Sequence, residues 1–280
     1  MCRMSWPARR IATLTIGVAV LAGTTAAASV ATHRGAAASL SSNRAPAANQ
    51  AAAPRATATR ALRLAGKVIG IDPGHNGGNA ANPGIINSLV WNGRAWETCD
   101  TSGTATDAGY PEARFTFNVA GYLRADLIKD GAHVVMTRNS NAGVGPCVNR
   151  RARIIDNAYA NVAVDIHADG GPADGRGFTI IEPLPDGPND AVIGASDRFA
   201  ATLRTAFLAG TPMPESDYYG LAGLIKRDDL AGLNLTTVPK VLIECGNMRN
   251  ATDARLLTSA WFQRSAARAM EAAILKFLRA

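Results

Sequence analysis

The chain has 280 residues, enough for one or two domains, with 47% hydrophobic and 18% charged residues and a formal net charge of +7. The first 61 residues hold seven arginines and neither Asp nor Glu; taking seven from the 29 basic residues leaves 22, equal to the 22 acidic ones. The remainder is therefore formally neutral, which removes the support that a basic pI would give to nucleic-acid binding, and no apolar stretch suits a permanent membrane anchor.

Residues 1–31 read as a secretory signal peptide. Arg3, Arg9 and Arg10 precede the short apolar run Ile11–Ala22, and small residues follow, with possible cleavage after Ala28 or Ala31. Cys2 lies before the apolar run, not at its end, which argues against a lipoprotein. Residues 32–61 are mostly Ala, Ser, Thr, Pro, Asn and Arg, without Asp, Glu, Phe, Trp or Tyr, and predict a disordered linker. Residues 62–280 are long enough for one well-buried domain.

Within that domain, apolar and β-branched residues predict a short buried strand at Lys67–Ile71. The stretch Asn76–Tyr110 is rich in Gly, Asn, Ser and Thr. It exceeds the usual length of a connection and is expected to be functional surface, with a hairpin around Leu89–Trp96. Pro111 is placed at the first position of a helix, in which Phe115, Val119, Tyr122, Leu123 and Leu127 recur at helical spacing until Gly131 stops it. A strand at His133–Met136, a helix at Asn149–Asn161 and a strand at Val162–Ile166 follow. Then come a strand at Phe178–Ile181, a helix from Asp190 to Leu208, a strand at Val238–Ile243 and a last helix at Thr258–Leu278. This alternation predicts a single α/β domain with a mostly parallel twisted sheet and helices on both faces.

His75 in IDPGHNGG and His167 in VDIHADG each follow a buried strand, as does Glu244 in VLIECGN. At the carboxyl ends of parallel strands such side chains converge on one edge, where ligands bind. Only four histidines exist, and of the others His33 falls in the linker and His133 is read as structural or exposed. A carboxylate ending an apolar strand is costly to desolvate without a partner or a task, which favours a functional Glu244. Glu112 in YPEAR opens a helix, where the macrodipole alone favours a carboxylate; its claim rests on the company it keeps.

These residue types suit zinc. Two imidazoles and a carboxylate supply the three protein ligands of a catalytic site with a position open for water. A fourth residue, a glutamate off the metal, can take the proton of that zinc-bound water as it attacks a carbonyl. The competing chemistries lack their motifs: no G-x-S-x-G elbow occurs, and no Rossmann or P-loop glycine pattern follows a strand. Cys245, next to Glu244 on a strand, should point to the opposite face and is read as a buried core thiol.

Several motifs in order, IGIDPGHNGG, PEARFTFNVAGYLRADLIKDGAHVVMTR, VDIHADG, GLIKRDDLAGLN and VPKVLIECGNMRN, resemble the zinc-dependent N-acetylmuramoyl-L-alanine amidases of bacterial cell walls. The resemblance covers nearly all of residues 62–280. It implies one zinc ion bound by His75, Glu112 and His167, with Glu244 catalytic. It further implies hydrolysis of the amide joining N-acetylmuramic acid to L-Ala of the peptidoglycan stem peptide. A secreted or periplasmic monomer acting in the cell-wall space is the corresponding expectation, with muropeptides as partners and no nucleic acid. Two other readings stay open at this point: a zinc carboxypeptidase or endopeptidase acting on the stem peptide, and a non-catalytic peptidoglycan-binding protein.

Where family members often have Gly-Phe just beyond the catalytic glutamate, this chain has Cys245-Gly246-Asn247-Met248, which makes Asn247 a candidate substrate contact. Between His167 and Leu221 the fold needs no additional helix, so a site not closed by a blocking helix is expected. Export would allow a disulfide between Cys99 and Cys147, bracing the long loop; two free thiols are the alternative.

Overall fold

A computed structural model of the chain describes residues 62–279; the leader and linker read from the sequence lie outside the described residues. Six strands form one sheet: β1 (Val68–Pro73), β4 (His133–Met136), β5 (Val162–Asp169), β6 (Thr179–Pro183), β7 (Leu224–Arg227) and β8 (Lys240–Asn247). Their order is β4-β1-β5-β8-β6-β7, and β2 (Leu89–Trp91) pairs with β3 (Trp96–Thr98) in a separate hairpin. All neighbouring pairs are parallel except β6 with β8. The short link from β5 to β6 explains the exception: a parallel crossover needs a dozen or more residues and usually a helix.

The sheet is a single α/β layer with helices on both faces. Alternation along the strands turns Ile69, Ile71, Val164, Ile166, Val241 and Ile243 toward one face. There they meet the buried stripes of α2 (Glu112–Lys129), α4 (Ile193–Gly210) and α7 (Ala260–Phe277), including Phe115, Val119, Leu203 and Met270. The other face carries α3 (Val148–Asn157), with Ile155 packed on Ala163, and α5 (Ala231–Asn234), with Leu233 packed on Leu242. Two further helices complete the set: α1 (Pro83–Ile86) and α6 (Ala251–Leu257).

Several boundaries differ from those read in the sequence. β5 and β8 do not end before His167 and Glu244 but continue to Asp169 and Asn247, because their ladder goes on pairing, His167 opposite Glu244. Pro111 caps α2 from outside in an extended conformation, so Glu112 is its first helical residue. Residues 190–192 form a 3-10 turn before α4 begins, and α3 stops at Asn157, with Tyr159 left-handed at φ 52°. Between His167 and Leu221 one α-helix occurs, α4, and it packs in the core beside α7 rather than over the strand ends.

Candidate metal centre and active site

His75, Glu112 and His167 come together at the carboxyl edge of β1, β5 and β8. One ligand atom from each lies within 4.8 Å of the others. Glu112 sits between the imidazoles: Oε2 is 3.2 Å from His75 Nε2, and Oε1 is 2.9 Å from His167 Nδ1. Both its oxygens also accept backbone N–H bonds, from Thr104 (2.9 Å) and Ala168 (3.2 Å). The two imidazole rings meet edge to face with centroids 4.8 Å apart.

The DPGH turn places His75 by strain and close approach. His75 is left-handed at φ 57°, a conformation that costs a non-glycine residue free energy unless its surroundings hold it. Two buried arginines do so. Arg138 Nε and Arg151 Nη1 donate to the Pro73 carbonyl at 2.9 and 2.7 Å, and Arg151 Nη2 donates to that of His75 at 2.9 Å. Gly74 is needed for a different reason: a Cβ there would lie 2.3 Å from His167 Cε1, inside the imidazole.

His75 Nδ1 is 3.2 Å from Asp100 Oδ1 and 3.2 Å from the Thr101 carbonyl, an arrangement that leaves Nε2 for Glu112 and an ion. His167 Nε2 is 3.3 Å from Asp165 Oδ1. Beneath the site the Lys240 ammonium lies 2.7 Å from Asp72 Oδ2 and 3.2 Å from Asp165 Oδ2. Arg151 bridges Asp72 and Asp100 at 3.0 and 3.3 Å. The partners of the two histidines are thus joined through one buried chain of alternating charge.

The electrostatics favour a cation. Burial opposes charge on His75, but the Glu112 carboxylate and the Asp100 contact outweigh it and raise its pKa to about 9. Burial likewise opposes charge on His167, and Asp165 and Glu112 carry it well above the ordinary imidazole value. Burial works against the Glu112 anion too, yet His75 and His167 hold it well below the usual carboxylate range. Surroundings that draw protons onto two imidazoles offer the same attraction to a divalent ion, and His–Glu–His is a zinc donor set. The residues fit the metal.

Glu244 lies across the ladder from His167, half-buried, with its Oε2 atom shut off from solvent and free of any hydrogen-bond partner. Burial raises its pKa to about 8; Glu112 and Asp169 add to the rise and His167 opposes it. It faces an open cleft of about 290 Å³ lined by His75, Glu112, His167, Asp169 and Arg227 together with Ile181, Leu230 and Leu242. A carboxyl group in that setting can take up and return a proton near neutral pH.

Other sequence readings fare as follows. Cys245 is fully buried in the core on the opposite face from Glu244. Cys99 and Cys147 are bonded in a disulfide. Asn247 is not a substrate contact: it is fully buried, its amide donates to the carbonyls of Pro172 and Gly175, and its oxygen accepts the Arg249 N–H. Asp100, Arg138, Arg151 and Lys240 were not singled out by the sequence. Lys240 carries a readable signal, a lysine inside an apolar strand, the same cost that marks Glu244.

A family model described as N-acetylmuramoyl-L-alanine amidase matches residues 69–276. Over 225 residues the chain is 41% identical to N-acetylmuramoyl-L-alanine amidase Rv3717 of Mycobacterium tuberculosis, covering 80% of this chain and 90% of that one. The crystal structure of the amidase Ami1 from Mycobacterium smegmatis superposes with a TM-score of 0.73 at 41% identity, covering 77% of this chain and 98% of that one. The apo form of Ami1 from Mycobacterium abscessus gives 0.73 at 43% identity, covering 77% and 100%.

Proposed function

Since the chain belongs to the N-acetylmuramoyl-L-alanine amidase family and is an amidase acting on peptidoglycan, we propose that His75, Glu112 and His167 hold one zinc ion and that Glu244 carries the proton. The observation behind this is the pairing of a cation-seeking His–Glu–His cluster with a buried, unpartnered carboxyl oxygen beside it. Zinc bound there supplies a Lewis acid that makes water more acidic and polarises the carbonyl of the bond between N-acetylmuramic acid and L-Ala.

The protein's own groups do the rest. Asp100 fixes the His75 ring so that Nε2 is the ligand atom, and the clamped Pro73 and His75 carbonyls keep the turn from relaxing. Glu244 accepts the proton released by the attacking water and returns it to the L-Ala amine as the bond breaks.

The same reading assigns the protein to the cell-wall space as a monomer, with residues 1–31 as export signal and residues 32–61 as linker. Its polymeric substrate lies there, and the Cys99–Cys147 bond persists in an oxidising compartment. The test is Glu244→Gln. The variant is expected to bind zinc like the wild type and to release no stem peptide; sustained turnover would remove Glu244 from its role.

A further inference from the structure

We propose that the outer face of the β2–β3 hairpin, carried by Trp91 and Trp96, is a stacking platform for the glycan strand next to the muramoyl residue being cut. The inference rests on the amidase reading above and names where that site holds its polymer.

Only four tryptophans occur in the chain, and two of them are cross-strand partners on this hairpin. Their rings meet at 67° with centroids 5.8 Å apart. Both stay in water, Trp91 at 44% and Trp96 at 65% exposure, beside Leu89 at 64%. Keeping large apolar side chains together in solvent is unfavourable, and such patches mark interaction sites.

The exposure is held in place. Strands of three residues form a hairpin that is marginal by itself, but this one is anchored at several points. The disulfide at Cys99 fixes the end of β3. Arg94 at the turn pairs with Asp186 at 2.8 Å and with Asp228. Glu97 Oε1 accepts the Ala231 N–H at 3.2 Å, which turns Val90 and Glu97 inward and leaves Leu89, Trp91, Trp96 and Thr98 outward. A rigid aromatic face loses little entropy when it binds.

The face adjoins the site through Thr98, which lies outward beside Trp96 on β3 and lines the same cavity as His75 and His167. Glu97, Thr98, Asp100 and Thr101 follow Trp96 along the chain and line a cavity that His75 and His167 also line. Asp100, four residues after Trp96, reaches His75 itself. Leu230, next to the Ala231 that holds Glu97, borders the cleft with Glu244.

The chemistry selects a saccharide. A pyranose ring presents a face of C–H groups that lies flat on an indole while its hydroxyls remain in water, and this face holds no charged side chain. The stem peptide carries carboxylates, which would call for free cations, whereas Arg94 is already paired with two aspartates. The two indoles expose at most about 270 Å² between them, well short of the roughly 800 Å² per partner that a stable dimer buries.

The test uses the full chain with Trp91→Ala, Trp96→Ala and the double substitution, with Trp261→Ala as control, an equally exposed tryptophan on α7 (62%). On intact sacculi the double variant is expected to raise KM about tenfold, Trp91→Phe with Trp96→Phe to restore most of it, and Trp261→Ala to match the wild type. Glycan strands stripped of peptide should bind Glu244→Gln, and should bind it far less once both tryptophans are removed. Unchanged KM and unchanged glycan binding in the double variant would overturn the platform while leaving the amidase reading intact. So would a wild-type dimer that the double variant dissociates, or tryptophan-dependent binding to phosphatidylglycerol vesicles. A wild type that releases no stem peptide from sacculi would instead defeat the reading beneath it.

Discussion

Lys240 Nζ lies 2.7 Å from Asp72 Oδ2, with both side chains shut off from solvent beneath the histidines. The contact is one link in a buried chain that runs from Asp100 through Arg151, Asp72 and Lys240 to Asp165, and so from the partner of His75 to the neighbour of His167. The proposed metal ligands are therefore supported by one connected set of charges, not by two separate ones.

Removing the lysine leaves two buried carboxylates facing each other. Lys240→Met is expected to cost about 3–5 kcal/mol, the penalty for stranding a buried charge. Denaturant unfolding at neutral pH measures it. A loss below about 1 kcal/mol would show that the network relaxes without its lysine.

Asp100 acts on His75 through one ring nitrogen, so its effect should appear in the metal. Asp100→Ala is expected to weaken zinc binding by about 10–100-fold, read by competition with a chromophoric chelator. Unaltered affinity would mean that the Thr101 carbonyl alone orients the ring.

The disulfide closes the loop that brings Asp100 to the site. Replacing Cys99 and Cys147 together by serine is expected to lower stability by about 2–4 kcal/mol and to weaken zinc binding as well, since Asp100 adjoins Cys99. Stability loss with zinc affinity intact would confine the bond to a purely structural role.

A pH effect arises far from the site. Burial raises Glu271 from 4.5 to about 7, with the nearby Asp130 and Asp126 adding and Arg63 opposing. The folded chain thus holds this proton more tightly than the unfolded one. Its contribution to stability is complete below about pH 4.5 and is lost as pH rises through about 7. Glu271→Gln should melt higher than the wild type at pH 8 and alike at pH 4, by calorimetry. An equal difference at both values would reject the titration.

How far the sequence disclosed this molecule depends on the kind of signal each residue gives. His75, His167 and Glu244 were legible because each interrupts or closes an apolar strand, and strand ends in an α/β sheet face a common edge. Glu112 was hidden by the ordinary preference of helix starts for carboxylates, and its role came through the resemblance. Asp100 and Arg151 gave no local signal: one lies in a long loop and the other in a helix of mixed charge, and folding alone joins them at 3.3 Å. The reversed direction of β6 was equally silent, because strand pairing is set across the sheet and not by a strand's own residues. β7 and α5 are too short and mixed to show a period, although Arg227 and Leu230 near them line the cleft.

The central claim is that three ligands and one glutamate cut the muramoyl–L-Ala amide. Mass spectrometry of peptidoglycan digested by the zinc-loaded protein tests it most directly. Free stem peptides beginning with L-Ala, formed by the wild type and absent with Glu244→Gln, are the expected result; shortened peptides still joined to sugar would contradict it.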